Sequence, residues 1–235
     1  MGNPSGGDPA PRIVRTGRAD FFDRLPGVKS GRLITVEGLD GAGKTTLVAG
    51  VTRALAARGR ELLVLREPGG VELSERIREL VKDPELSVDP RAEALLYAAA
   101  RAQLVAEQLV PLLDAGRWVL LDRFVDSSLA YQGAGRGLGI EEIRALNAFA
   151  TGGLEPDRTL LLRIDPAVGR ARIAGRETDR LERAGEAFFA AVARAYDELA
   201  AAEPERFAVI EADRPPEQVV ADALAALEPL LSDGA

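Results

Sequence analysis

The chain contains no cysteine and no histidine. Disulfides, thiol chemistry and the usual zinc sites are therefore excluded, and so is acid–base catalysis by imidazole. Any metal must be held by oxygen, as a hard cation such as Mg²⁺ is. No apolar run is long enough to span a bilayer, and the N-terminus lacks the apolar core of a secretory signal, so a cytoplasmic enzyme is expected. A basic excess is missing too: 30 Lys+Arg face 37 Asp+Glu, for a net charge of −7. The surface as a whole gives no pull toward nucleic acid or an anionic membrane. Lysine is scarce, occurring only at Lys29, Lys44 and Lys82. A lysine in a chain that otherwise uses arginine marks a place where a compact point charge is needed.

What is present is the run Gly38 to Thr46, G-L-D-G-A-G-K-T-T, directly after the apolar stretch Leu33-Ile34-Thr35-Val36. It fits G-x-x-x-x-G-K-[ST], the phosphate-binding loop. Gly38, Gly41 and Gly43 let the backbone curl so that its N–H groups form a nest for phosphate oxygens, and the following helix adds its positive end. Lys44 can reach the β and γ phosphates, and the Thr45 hydroxyl can hold Mg²⁺. The chain is thus expected to bind a nucleotide.

A chain of 235 residues normally makes one domain with a good core. Met1 to Gly31 has no sustained period and is expected to form a mobile arm. From Arg32 onward, short apolar runs that do not alternate give candidate strands at Leu33–Glu37, Glu61–Leu65, Trp118–Leu121, Thr159–Ile164 and Phe207–Ile210. Helical stretches are predicted at Leu47–Arg58, Ser74–Val81, Pro90–Ala115, Ile140–Thr151, Pro166–Arg172, Glu182–Ala201 and Pro216–Leu231. This alternation predicts an α/β domain of the P-loop NTPase type, a five-stranded parallel sheet with helices on both faces. Its ligand should lie beyond the carboxyl ends of the strands.

The third strand ends in Asp122-Arg123. The carboxylate can reach the Mg²⁺ shell, and arginine, where hydrolytic motors carry glutamate, can neutralise a phosphoryl group in flight. That favours transfer to an acceptor over hydrolysis. The second strand leads into Arg66-Glu67-Pro68-Gly69-Gly70, a rigid bend at the ligand side of the sheet. Tyr97 and Arg101 stand at i, i+4 spacing on one helix face, where a ring could stack on a base and a guanidinium could read an exocyclic oxygen. Asp126 to Gly139, D-S-S-L-A-Y-Q-G-A-G-R-G-L-G, is expected to be a close-fitting loop in which Gln132 hydrogen-bonds a base edge. Arg170, Arg172, Arg176 and Arg180 sit in a Gly-containing segment that could close over phosphates as a flap.

Taken together, G-L-D-G-A-G-K-T-T, R-E-P-G-G, Y-A-A-A-R-A-Q, D-R-F, D-S-S-L-A-Y-Q-G and D-R-L-E resemble the thymidylate kinase (dTMP kinase) family, from about Arg32 to Leu231. The resemblance implies one kinase domain over residues 32–235 with a lid at about 166–181. It implies Mg²⁺-dependent transfer of the ATP γ-phosphoryl group to dTMP, usually by a homodimer, with no nucleic-acid or membrane partner. By the family pattern, Gly38, Gly41, Ala42, Gly43, Lys44, Thr45 and Thr46, with Arg172 and Arg180, would bind ATP phosphates. Asp40 would face the deoxyribose, and Arg66, Arg78 and Arg123 would grip the dTMP phosphate, with Arg123 bridging to the moving group. Tyr97, in place of a family Phe, would stack on thymine. Arg101, Ser128 and Gln132 would read the base. Thr45, Asp122 and Glu67 would lie near the metal. Gly41 occupies the position where one of two family layouts carries an arginine, so lid arginines would supply that charge, Arg176 among them. The spacing around Ala174-Gly175-Arg176 leaves open which one. Alternatives are a kinase of another nucleoside monophosphate on the same fold and a nucleotide switch or partitioning ATPase. The switch is disfavoured because no N-K-x-D motif follows and Asp122 is followed by arginine.

Overall fold

The computed structural model describes residues 31–175, 179–181 and 183–232. The expected arm lies outside the described residues except for Gly31, and so does Arg176 of the expected lid. Five strands form: β1 (Arg32–Gly38), β2 (Leu62–Arg66), β3 (Trp118–Asp122), β4 (Arg158–Arg163) and β5 (Phe207–Glu211). They make one parallel sheet in the order β2-β3-β1-β4-β5. Alternate residues of the apolar runs face opposite layers, which is why these strands show no polar face. Ile34, Val36 and Leu120 enter one core cluster, while Leu33, Val119 and Leu121 enter another.

The helices are α1 (Lys44–Ala57), α2 (Glu72–Lys82), α3 (Pro90–Leu104), α4 (Val110–Asp114), α5 (Val125–Ser128), α6 (Ile140–Thr151), α7 (Pro166–Ile173), α8 (Glu186–Ala202) and α9 (Pro216–Ser232). In α1, Leu47, Val51 and Leu55 are buried at four-residue spacing, the stripe that docks on a sheet. Leu47, Val51 and Leu55 join the cluster that contains Phe189, Val192 and Leu199 of α8 and Ala223 and Leu227 of α9. The other cluster is closed by Leu104, Leu109 and Leu113.

Most boundaries differ from the predicted ones by one or two residues. The larger differences have physical reasons. Helix α1 begins at Lys44 rather than Leu47, because Gly43 at φ 94° serves as the N-cap and brings the end of the loop motif into the first turn. The stretch predicted as one helix over Pro90–Ala115 is interrupted by a π-helical turn, Val105–Leu109, just ahead of Pro111. A regular α-helix would drive the Pro111 ring into the carbonyl four residues back, and the wider turn removes that clash. The segment expected to be a loop, Asp126–Gly139, is instead helical for most of its length: α5 runs into a second π-helical stretch, Leu129–Gly135. Its glycines and serines disfavour helix locally, but packing against α8 and α6 overrides that preference.

This architecture sets the site. β1 is the central strand, flanked by β3 and β4, and its carboxyl end opens into the phosphate loop. The ends of β2 and β3 stand beside it, in the crevice where parallel sheets bind ligands.

Candidate active site

Three glycines of the loop have positive φ: Gly38 at 134°, Gly41 at 81° and Gly43 at 94°. A Cβ at Gly38 would meet the Leu162 carbonyl oxygen at 2.5 Å, and one at Gly41 would meet the Gly169 carbonyl oxygen at 2.1 Å. The loop is therefore wedged between β4 and α7 with no room for side chains at these points. Lys44 folds back over the nest, and its Nζ donates to the carbonyls of Gly38 (3.1 Å) and Leu39 (2.9 Å). Burial, with Arg123 close by, pulls its pKa down to about 8. Thr45 and Thr46 are exposed beside it.

The loop forms one wall of a cavity of ≈ 520 Å³, and the other walls come from the ends of β2 and β3, from α2, α3 and α7, and from the Leu129–Gly135 turn. Asp40, Lys44, Thr45, Thr46, Arg66, Glu67, Arg78, Tyr97, Arg101, Asp122, Arg123, Ser128, Gln132 and Arg172 all line it. Among the described residues Arg123 is the only non-glycine with positive φ, 69°. Its guanidinium donates to Asp40 (2.8 Å), to Ser127 Oγ (3.1 Å) and to Tyr131 Oη (3.3 Å), and it lies over the Tyr131 ring at 5.0 Å. Burial opposes a charge on Asp40, yet the Arg123 guanidinium and the Lys44 ammonium hold its carboxyl well below the usual carboxylate range.

Arg66 stands at the mouth, its guanidinium held by both oxygens of Glu75 (3.0 and 3.1 Å). Arg78 donates to the Pro68 carbonyl (2.9 Å). Glu67 and Asp122 each place one buried oxygen, Oε1 and Oδ1 respectively, without a hydrogen-bond partner. Burial pushes the Glu67 carboxyl pKa up, against the pull of Arg101.

The expected base-reading residues are present, but Arg101, Ser128 and Gln132 are more enclosed than the sequence suggested. Arg101 is 1% exposed. It donates to Glu67 (Nε, 2.7 Å), Ser128 Oγ (2.9 Å), Asn147 Oδ1 and the Phe124 carbonyl (2.9 Å). Gln132 donates to Glu93 (2.9 Å), a buried carboxylate that also pairs with Arg136 and Arg180. Tyr97 packs on Ile77, Val81 and Ala100, and burial raises its phenol pKa.

The arginines of the expected lid divide. Arg172 lines the cavity and donates to the Ala212 carbonyl (3.2 Å) and Asp213 (2.6 Å). Arg170 pairs with Glu186 on α8. Arg180, expected at the ATP phosphates, is tied to Glu93 at 2.7 Å and to the Val81 carbonyl at 3.1 Å, on the side of the cavity formed by α2 and α3. The guanidinium is drawn there because Glu93 is a buried charge that needs cations around it.

Residues the sequence reading passed over complete the site: Glu37, Ser127 and Tyr196 join Tyr131 in a buried polar cluster behind Arg123. A glutamate inside the apolar run of β1 was the available signal, since a charge is seldom fully buried without partners.

A phosphate nest with a lysine, set against arginines from the ends of neighbouring strands, defines a phosphoryl-transfer enzyme of the P-loop class. Comparison with known proteins narrows this further. The family model described as Thymidylate kinase matches residues 36–223. The chain is 49% identical over 201 residues to a protein named thymidylate kinase from Deinococcus radiodurans, covering 85% of this chain and 98% of that one. It is 52% identical over 197 residues to a thymidylate kinase from Lactobacillus delbrueckii subsp. bulgaricus, covering 81% and 92%. A thymidylate kinase from Halorhodospira halophila is 48% identical over 208 residues, covering 87% and 97%. The chain belongs to the thymidylate kinase family.

Proposed function

We propose that this chain transfers the γ-phosphoryl group of ATP to dTMP, giving ADP and dTDP, with Mg²⁺ and as a cytoplasmic homodimer. The observation that carries this is the convergence on one cavity of the phosphate nest at the end of β1 and cations from the ends of β2 and β3, Arg66 and Arg123. Lys44, Thr45, Thr46 and the loop amides of Gly38, Gly41, Ala42 and Gly43 serve the donor phosphates. Arg66, Arg78 and Arg123 serve the acceptor phosphate, Asp40 the sugar, and Tyr97, Arg101, Ser128 and Gln132 the base.

An oxygen of the dTMP phosphate forms the new P–O bond as the bond from the γ-phosphorus to the β,γ-bridging oxygen breaks, and ADP leaves with the electron pair. The attacking oxygen is already anionic at neutral pH, so no general base is required. Alignment and charge neutralisation are what the protein must provide. Side chains cannot be accommodated at Gly41, so the neutralising charge from the donor side falls to the lid, where Arg172 already lines the cavity. Lid closure over the two phosphates would exclude water and suppress hydrolysis of ATP.

Mg²⁺ fits the donor set. Glu67 Oε1 and Asp122 Oδ1 are unpaired buried oxygens, and the Thr45 hydroxyl lines the same cavity. These residues would hold the ion, which when bound neutralises phosphate oxygens. Among the described residues no group of three acidic side chains forms a protein-only cage, as suits an ion that takes most of its ligands from phosphates and water.

The activity is tested by ADP formation with Mg-ATP and dTMP, dUMP, UMP or GMP in turn, alongside Lys44→Ala. Strong dTMP-dependent turnover, lost in the variant, is expected. ADP formed with another acceptor, or with none, would overturn the substrate assignment.

The homodimer is supported by exposed apolar side chains on two adjacent helices, Leu95 of α3 at 58% and Phe149 of α6 at 90% exposure. Among the described residues no helix is long and apolar enough to cross a membrane. Phe149→Asp is expected to convert a dimer to a monomer in sedimentation velocity at micromolar concentration. An unchanged dimer would move the interface elsewhere.

A further inference from the structure

Arg123 holds an uncommon backbone conformation, and nothing in its own side chain explains why the chain stays there. A non-glycine residue at φ 69° pays for the contact of its Cβ with the backbone. Something must over-determine the position, and the contacts around it identify what does.

Glu37, on β1, is fully buried at 0% exposure. Its Oε1 accepts from the backbone N–H of Phe124 (2.8 Å) and of Ser127 (3.3 Å). Phe124 immediately follows Arg123 and is the residue from which α5 starts; α5 has no side-chain cap of its own. The Glu37 carboxylate supplies that cap from another element, satisfying amides the short helix leaves unpaired. Its Oε2 accepts from Ser127 Oγ (2.5 Å) and from Tyr196 Oη on α8 (2.8 Å). Ser127 Oγ in turn accepts from the Arg123 guanidinium (3.1 Å). One carboxylate thus grips Arg123 twice, through the peptide that follows it and through the hydroxyl beneath its guanidinium. Burial without such a set of donors would be costly, and four donors converge on it.

We propose that Glu37 is a positioning residue for phosphoryl transfer, fixing both the backbone and the guanidinium of Arg123, with Ser127 as the bridge and Tyr196 as the anchor of the carboxylate. The inference rests on the reading above in which Arg123 touches the transferred group. Glu37 itself reaches no substrate: its four hydrogen bonds are all internal.

The test compares Glu37→Gln, Glu37→Leu and Ser127→Ala in steady-state kinetics and in amide hydrogen exchange of the segment 122–128. Glutamine keeps an oxygen for the two backbone amides, and the hydroxyls of Ser127 and Tyr196 can turn to accept from its NH₂. Leucine offers nothing to any of the four. Misplacement of an aligned group costs about 10²-fold, so kcat should fall by about that in Glu37→Leu and by less than about tenfold in Glu37→Gln and Ser127→Ala. The KM for ATP, which depends on the loop and Lys44, should stay within about twofold in all three. Amide exchange at Phe124 and Ser127 should accelerate in Glu37→Leu only. Should Glu37→Leu not fold, Ser127→Ala and Glu37→Gln decide: kcat lowered with KM for ATP held supports positioning, and wild-type kcat in both overturns it. A KM for ATP that rises as far as kcat falls would show a structural role only and would also overturn it. Absence of dTMP turnover in the wild type would sink the functional reading instead. The exchange arm then still judges whether Glu37 holds the segment, unchanged rates in Glu37→Leu counting against it.

Discussion

Replacing Arg123 with alanine is expected to lower kcat for dTMP phosphorylation by about 10³-fold, the scale at which an arginine acts on a phosphoryl group in flight. The guanidinium stands in the cavity between Asp40 and Tyr131, with Lys44 across the loop, where two phosphate anions must be brought together. Arg123→Lys should recover little, because an ammonium cannot keep Asp40, Ser127 and a phosphate oxygen in one planar fork. Arg123→Gly separates chemistry from folding. Glycine relieves the strain at φ 69° that alanine keeps, so it should be more stable than Arg123→Ala by about 1 kcal/mol and equally inactive. Turnover and urea denaturation of the three variants check both halves. An Arg123→Ala enzyme within tenfold of wild type would remove Arg123 from the transfer step.

Much of this was readable from the chain because it depends on local chemistry. The glycines of the loop and Lys44 announce a phosphate nest in nine consecutive residues, and the apolar runs of a buried parallel sheet mark the strands to within about a residue or two. Arg123 was visible because it directly follows a strand. Glu37 was not: its partners Phe124, Ser127 and Tyr196 lie 87, 90 and 159 residues away in the chain, and only the fold brings them to one carboxylate. The same holds for Arg180, whose destination is decided by Glu93, a buried charge that sequence pattern places on an ordinary helix. The helical character of Leu129–Gly135 was hidden for another reason. Glycine and serine weaken helix propensity there, and the packing against α6 and α8 that overrides it is non-local. Arg101 was recognised as a site residue, but its enclosure was not, since a helical spacing cannot show how many acceptors surround a side chain.

That enclosure predicts a second large effect, on stability. Arg101→Met should destabilise the fold by about 3–5 kcal/mol, because it removes one partner of a buried ion pair and leaves the Glu67 carboxyl without its cation at 5% exposure. The loss would extend to Ser128 Oγ, Asn147 Oδ1 and the Phe124 carbonyl, each of which accepts from the same guanidinium. For a chain of this size such a change lowers the melting temperature by roughly 10 °C. The double variant Arg101→Met/Glu67→Gln should regain part of that loss, since the amide carries no charge to strand, and the shortfall from additivity measures the pair. The decisive measurement is thermal and urea unfolding with no dTMP present. If Arg101 worked only by reading the base, the variant would unfold as wild type does and lose dTMP affinity alone. A melting temperature lowered without any nucleotide shows instead that one arginine ties the second strand's bend, the long helix α3 and the start of α5 together. The wall of the cavity that Arg101 lines is then rigid because it is part of the core.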